Sequence, residues 1–228
     1  MKIHVIQHVQ FEGPAQILSW AEHKAHTVEI TRLYEGDRLP RIAHGDALVI
    51  MGGPMSVYDL HDYPWLQDEI NFVRDAVGLG TRTFGVCLGS QIIAQALGGR
   101  VYRNPEKEIG WFPVFRRQLA AFDTMELPER LTVFHWHGET YELPVGAELI
   151  FSSDGCENQG FICGSAVGLQ FHLEMDKDSL SQIIKHCGGE LTSGKYLKSE
   201  DDIFSGETMY ADECRTFLFR LLDRVFEG

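Results

Sequence analysis

No run of about 18 apolar residues occurs in this 228-residue chain, so nothing in it is expected to span a bilayer. Basic residues are also scarce. Twenty Lys and Arg stand against 33 Asp and Glu, a formal charge of −13. That balance argues against nucleic acid or an anionic membrane as the main partner, because both attract clusters of Lys and Arg. The five cysteines (Cys87, Cys156, Cys163, Cys187 and Cys214) are odd in number and form no CxxC pair. Free thiols in a reducing, cytoplasmic setting are therefore expected. There is no G-x-x-x-x-G-K-[ST] phosphate loop, no internal repeat and no low-complexity segment. The opening MKIHVIQHVQFEGP has one lysine and no small-residue cleavage site, and reads as a first strand rather than a signal peptide.

What is present is an alternation of short apolar runs with helical patterns. IHVI, HTVEITRL, ALVIM and RTFGVC read as strands. Between them, PAQILSWAEHKA carries a stripe at Ile17, Leu18 and Ala21, and PWLQDEINFVRDAV one at Leu66, Ile70, Val73 and Val77, with Pro64 near its start. QIIAQALGG is a further helix that Gly98 and Gly99 should stop. This order implies βαβ units and a parallel sheet. The second half differs: RVYRNPEKEIGWFPVFRR, LTVFHWH, ELIFSSD, GFICG and AVGLQFH suggest antiparallel hairpins that return to the main sheet at GLQFH. DSLSQIIKHC and DECRTFLFRLLDRVF read as helices, and residues 188–206 between them as a loop or an irregular helix. The expected fold is α/β: a single-domain, three-layer sandwich over 1–228 with a mostly parallel central sheet and an antiparallel β extension. Its core covers about 1–187, and a loop and helix occupy 188–228.

Gly85-Val86-Cys87-Leu88-Gly89 has the form G-x-C-x-G, the cysteine version of a nucleophile elbow. Small flanking residues let a strand turn sharply into a helix, which leaves the thiol at the strand's carboxyl end. The helix start should stabilise a thiolate, and the Leu88 amide is placed to bind a developing oxyanion. A thiol nucleophile needs a base, and the base an orienting partner. His172 follows the apolar GLQF, and Glu174 two residues on could hold the far imidazole nitrogen. His135 and His137, two apart on a strand, share a face that could suggest a metal. No matching carboxylate or cysteine pair is legible in the sequence, so a structural or pocket-lining role is expected, with no metal and no cofactor.

GVCLGSQ, with GGP upstream and QFHLE downstream, resembles the class I glutamine amidotransferase family, whose usual forms are G-x-C-x-G-x-Q and F-H-P-E. The segment HWHGETYELPVGAELIFSSDGCENQGF is similar to stand-alone members related to the glutaminase domain of GMP synthetase. The resemblance implies that Cys87 attacks the glutamine side-chain amide, with His172 as base and then acid and Glu174 orienting it. It implies an oxyanion hole at Gly53 and Leu88, and substrate contacts from Gly52, Gln91, Asn158, Gly160 and Phe161. Taken alone, GGP reads as a strand-ending turn, Gln91 as a solvated helix residue and Asn158–Phe161 as a turn entering a strand. Leu173 replaces the usual proline, and His137-Gly138-Glu139 the usual His-x-Asp.

The implied partner is glutamine or another γ-glutamyl small molecule. No acceptor-activating domain is legible, so a synthetase partner is a separate chain, or the protein acts alone as a γ-glutamyl hydrolase or peptidase. A non-catalytic regulatory homologue is the third reading.

Overall fold

The computed structural model describes residues 1–117 and 127–227; residues 118–126 and Gly228, part of the domain expected over 1–228, lie outside the described residues. Strands β1 (Lys2–Gln7), β2 (Thr27–Arg32), β3 (Ala47–Ile50) and β4 (Arg82–Val86) pair in parallel. After β4 the chain leaves this group to build β5 (Val101–Arg116), β6 (Arg130–Tyr141), β7 (Glu148–Ser152) and β8 (Gly160–Cys163), all joined antiparallel. It then returns as β9 (Ala166–Leu169), which is parallel to β4 and antiparallel to β8. The resulting nine-stranded order is β2-β1-β3-β4-β9-β8-β7-β5-β6. The return at GLQFH is as the sequence predicts.

The parallel strands are buried on both faces, which is why they read as near-continuous apolar runs. Ile3, Val5, Ala47, Val49, Phe84 and Val86 face one side with Trp20, Leu180 and Leu218. Ile6, Leu48 and Ile50 face the other with Leu66, Ile70, Val73 and Ile92. Helices α2 (Trp65–Gly78) and α3 (Leu88–Ala96) cover this second face; α1 (Gln16–His23), α4 (Lys177–Cys187) and α5 (Glu200–Phe226) cover the first. The expected three-layer sandwich is borne out. A Trp20 Nε1 bond to Asp223 Oδ1 at 2.8 Å ties α1 to α5.

Two local expectations need correction. The buried stripe of α1 is Ile17, Trp20 and Ala21, whereas Leu18 is 38% exposed, because positions three and four apart share a helix face. The last helix starts at Glu200, well before the amphipathic stretch recognised in the sequence. Ser199 and Asp202 form a capping box that nucleates it, and Gly206 then lets the Trp111 indole lie against the helix backbone. Read as a loop-former, Gly206 is in fact a point of close packing.

Candidate active site

Cys87 occupies the single residue between β4 and α3. Its backbone has φ 52° and ψ −110°, a region that costs a non-glycine residue about 1–3 kcal/mol. The flanking glycines make this turn sterically feasible. A Cβ on Gly85 would lie 2.6 Å from the Gly89 carbonyl oxygen, and one on Gly89 would overlap the Ile50 carbonyl. The amides of Ser90 and Gln91 donate to the Cys87 carbonyl at 3.0 and 3.2 Å, which starts the helix. Around the thiol, Gln170 Nε2 approaches Sγ at 3.7 Å, and Sγ lies 3.6 Å from the Trp136 carbonyl.

His172 follows β9 and is fixed across to β6 by its amide, which donates to the Phe134 carbonyl at 2.8 Å. Its Nδ1 lies 2.7 Å from Glu174 Oε1, and because a carboxylate only accepts, the proton sits on Nδ1. The second Glu174 oxygen accepts from the Leu173 amide at 3.0 Å, a bond the family's usual proline could not make. Nε2 is buried and has no hydrogen bond of good geometry among the described residues. The Cys87 thiol is nevertheless near enough to bias the ring. Burial works against the imidazolium, but the Glu174 charge and then the Cys87 contact outweigh it, raising His172 well above the ordinary imidazole range. Cysteine, histidine and glutamate are thus brought together at the carboxyl edge of the parallel strands, where open α/β sheets place their sites.

Gly52 and Gly53 follow β3 at the same edge, and Gly53 packs against Leu88. A pair absent from the sequence reading orients this loop. Buried His8 meets the Gly52 carbonyl through Nδ1 at 3.0 Å and Glu69 through Nε2 at 2.9 Å. Both neighbours are acceptors, so both nitrogens carry protons. Burial opposes that charge, but Glu69 outweighs it, and the His8 pKa is raised. The peptide group is planar and trans, so holding the Gly52 carbonyl toward His8 turns the Gly53 N–H the opposite way. Leu88 is the first residue of α3, so its own N–H has no partner one turn back.

A cavity of about 380 Å³ opens over Cys87. Gly53, Gln91, Trp136, His137 and Glu139 line it, as do Glu12 from the loop after β1 and Glu190 from the segment after α4. Gln91 donates to Gln170 Oε1 at 3.1 Å. Asn158, Gly160 and Phe161 are not brought onto this wall. The Asn158 side chain donates to the Tyr141 carbonyl at 2.7 Å, Gly160 pairs with Leu169, and Phe161 packs edge-on to Tyr141. The outer wall is fastened by Glu190, which meets Lys107 at 2.6 Å and accepts from Trp136 Nε1 at 3.3 Å. Beyond it, residues 196–198 run beside β5: the Ile109 amide donates to the Tyr196 carbonyl and the Lys198 amide to the Ile109 carbonyl, at 2.8 and 2.9 Å. A larger hollow, about 820 Å³, lies at the opposite edge between residues 40–46 and 72–82 and holds none of these groups.

The carboxylate that the sequence reading found missing near His135 and His137 is Glu108, on the neighbouring strand. Ligand-capable atoms of the three lie within 4.8 Å of one another, the one such group among the described residues. Glu108 is already engaged by Ser153 at 2.7 Å, Gln159 at 2.6 Å and His137 at 3.2 Å. Burial opposes its charge, but His137 and His135 outweigh that and hold the carboxyl down at about 2, while burial lowers His135 to about 4. The network is buried, and within it Gln159 Oε1 has no hydrogen-bond partner among the described residues. Burial also pushes the other thiols up: Cys156 and Cys187 to about 11, Cys214 to about 12, and Cys163 upward.

The family model described as glutamine amidotransferase class-I matches residues 16–187. The glutamine amidotransferase-like protein YfeJ of Salmonella typhimurium is 31% identical over 236 residues, covering 99% of this chain and 97% of that protein. The glutamine-hydrolyzing GMP synthase of Pediococcus pentosaceus is 28% identical over 159 residues, covering 68% of this chain but 29% of the synthase. Among solved structures, a glutamine amidotransferase from Thermotoga maritima has a TM-score of 0.90 at 32% identity and covers 100% of this chain and 99% of its own. One from Methylobacillus flagellatus has a TM-score of 0.90 at 27% identity, covering 100% and 94%. With an elbow cysteine, a histidine–glutamate pair and a glycine loop at one sheet edge, and with likeness running the length of the chain, the protein belongs to the class-I glutamine amidotransferase family.

Proposed function

We propose that the protein hydrolyses a γ-glutamyl amide through a thioester on Cys87. The observation that carries this reading is the free Nε2 of His172, held in one tautomer by Glu174 and facing the elbow thiol. In the reaction the Cys87 thiol proton passes to His172 Nε2 as Sγ attacks the γ-carbonyl carbon. The C–S bond forms while the carbonyl π pair moves to oxygen, and the C–N bond breaks when that tetrahedral intermediate collapses. His172 Nε2 passes its proton to the departing nitrogen. Water then attacks the thioester, His172 takes the water's proton, and glutamate leaves as the thiol is restored. The amides of Gly53 and Leu88 stabilise the tetrahedral oxyanion. Gly52 allows the loop to approach, and Gln91 is the side-chain contact to the substrate on the cavity wall.

The whole chain acts as one domain, with the core over 1–187 and the 188–228 segment completing the pocket. No helix among the described residues is long and apolar enough to cross a membrane; the free thiols and the acidic charge support a cytoplasmic setting away from nucleic acid. Glutamine is the first substrate to test, with ammonia passed to a separate synthetase chain. The second reading is a γ-glutamyl hydrolase that acts alone, since the chain matches nearly the whole of YfeJ but only 29% of the GMP synthase. Steady-state assay against glutamine and a panel of γ-glutamyl dipeptides separates the two. Loss of turnover and of active-site labelling in Cys87→Ala is expected. Unchanged labelling in that variant, at Cys187 on the same wall, would overturn the catalytic reading in favour of a regulatory homologue.

A further inference from the structure

Glu12 has no role in the chemistry above, yet it is only 6% exposed and lines the cavity over Cys87. No hydrogen bond or ion pair from any described residue reaches its carboxyl group. Burial, with the Glu174 charge added and His172 opposing, pushes its pKa up to about 7. The carboxyl group opens onto the cavity rather than onto a protein partner, so what meets it there is solvent or a ligand.

Its position identifies which part of a substrate it would meet. A methyl group built on Gly52 would collide with Glu12 Oε2 and lie 3.4 Å from His172 Cε1, so both groups crowd the same point of the glycine loop. Cε1 is bonded to Nε2, the atom that must hand a proton to the departing nitrogen. Glu12 therefore borders the leaving group's path. Glu190 acts on it electrostatically and shares the wall. Asp59 and Glu139 bring the lining carboxylates to four against Arg103 and Lys107, and Lys107 is already paired with Glu190.

We propose that Glu12 is the recognition group for the amine half of the substrate, and that the pocket prefers γ-glutamyl amides whose amine half carries a second, protonated nitrogen. This deepens the reading under Proposed function and rests on it. A cationic chain leaving past His172 would give Glu12 its missing partner and hold it ionised. A neutral or acidic leaving group would leave the carboxyl unpaired or repel it.

The test compares L-γ-glutamyl-1,4-diaminobutane with L-γ-glutamyl-n-butylamide, which differ by one terminal ammonium. A charge-assisted contact in a buried site predicts kcat/KM higher for the diamine conjugate by about tenfold or more. Glu12→Gln should bring that ratio close to one, and Glu12→Asp should keep part of it. A ratio near one in the unmodified protein, or an undiminished ratio in Glu12→Gln, overturns the proposal; equal losses on both substrates would instead mean that Glu12 reads the common glutamyl end. Should Glu12→Gln not fold, inhibition decides: 1,4-diaminobutane must compete at least about tenfold better than n-butylamine. A γ-glutamyl diazoketone separates the two levels. Labelling of Cys87 with a ratio near one defeats this inference alone, whereas no labelling and no turnover of either amide defeats the parent reading and this one with it.

Discussion

His8, after β1, and His172, after β9, are both buried and both pressed against a glutamate, at 2.9 and 2.7 Å. In both, the glutamate charge offsets burial and raises the imidazole pKa. The difference lies at the other nitrogen. His8 spends it on the Gly52 carbonyl, so the ring orients a peptide group. His172 keeps Nε2 unengaged beside the thiol, so the same pair becomes one able to exchange a proton. The same pair of side chains is closed on itself in one place and left with an open nitrogen in the other, and the difference is whether the second ring nitrogen has a hydrogen-bond partner.

The comparison breaks most sharply at His172. His172→Gln should lower kcat for any γ-glutamyl substrate by about 10³- to 10⁴-fold, read by product release at a temperature where the variant is folded. Next is Glu69→Gln, which strands a buried imidazolium. Urea denaturation should show a loss of about 3–5 kcal/mol, with activity falling as the Gly53 amide loses its orientation. A subtler effect lies in pH. Because the folded pKa of His8 is above its ordinary 6.5, its pair stabilises fully below about pH 6.5 and loses that contribution as pH climbs through the raised value. The stability gap between the unmodified protein and His8→Gln should therefore be widest at pH 6 and narrow toward alkaline pH. The smallest effect is expected for Leu173→Pro. It removes the amide bond to Glu174 and a buried side chain, and should cost about 1–2 kcal/mol and less than about tenfold in kcat.

The legible parts of the site were those written contiguously. G-x-C-x-G carries its own steric logic, since each glycine excludes a specific backbone collision, and His172 with Glu174 is a pair two residues apart. Illegible were the long-range pairs: His8 with Glu69, Glu108 with its two histidines, and Glu12 beside His172. Their partners are brought together by strand order, which composition and periodicity do not encode. One signal could have found Glu12 and His8. Each parallel strand ends at the same sheet edge, so the polar residues just after β1 belong beside those after β3, β4 and β9. The early start of α5 was also readable, because Ser199 and Asp202 have the spacing of a capping box. Asn158, Gly160 and Phe161 show the converse. A motif match gave their sequence position, but antiparallel pairing turns Asn158 and Phe161 toward Tyr141.

The segment bearing Glu190 is tethered at one end to α4 and at the other to the first turn of α5, a 27-residue helix seated on the sheet. Between those ends it is stitched to the antiparallel extension, through Glu190 to Lys107 and Trp136 and through residues 196–198 to Ile109. One jamb of the doorway therefore belongs to the extension rather than to the parallel strands that carry the thiol.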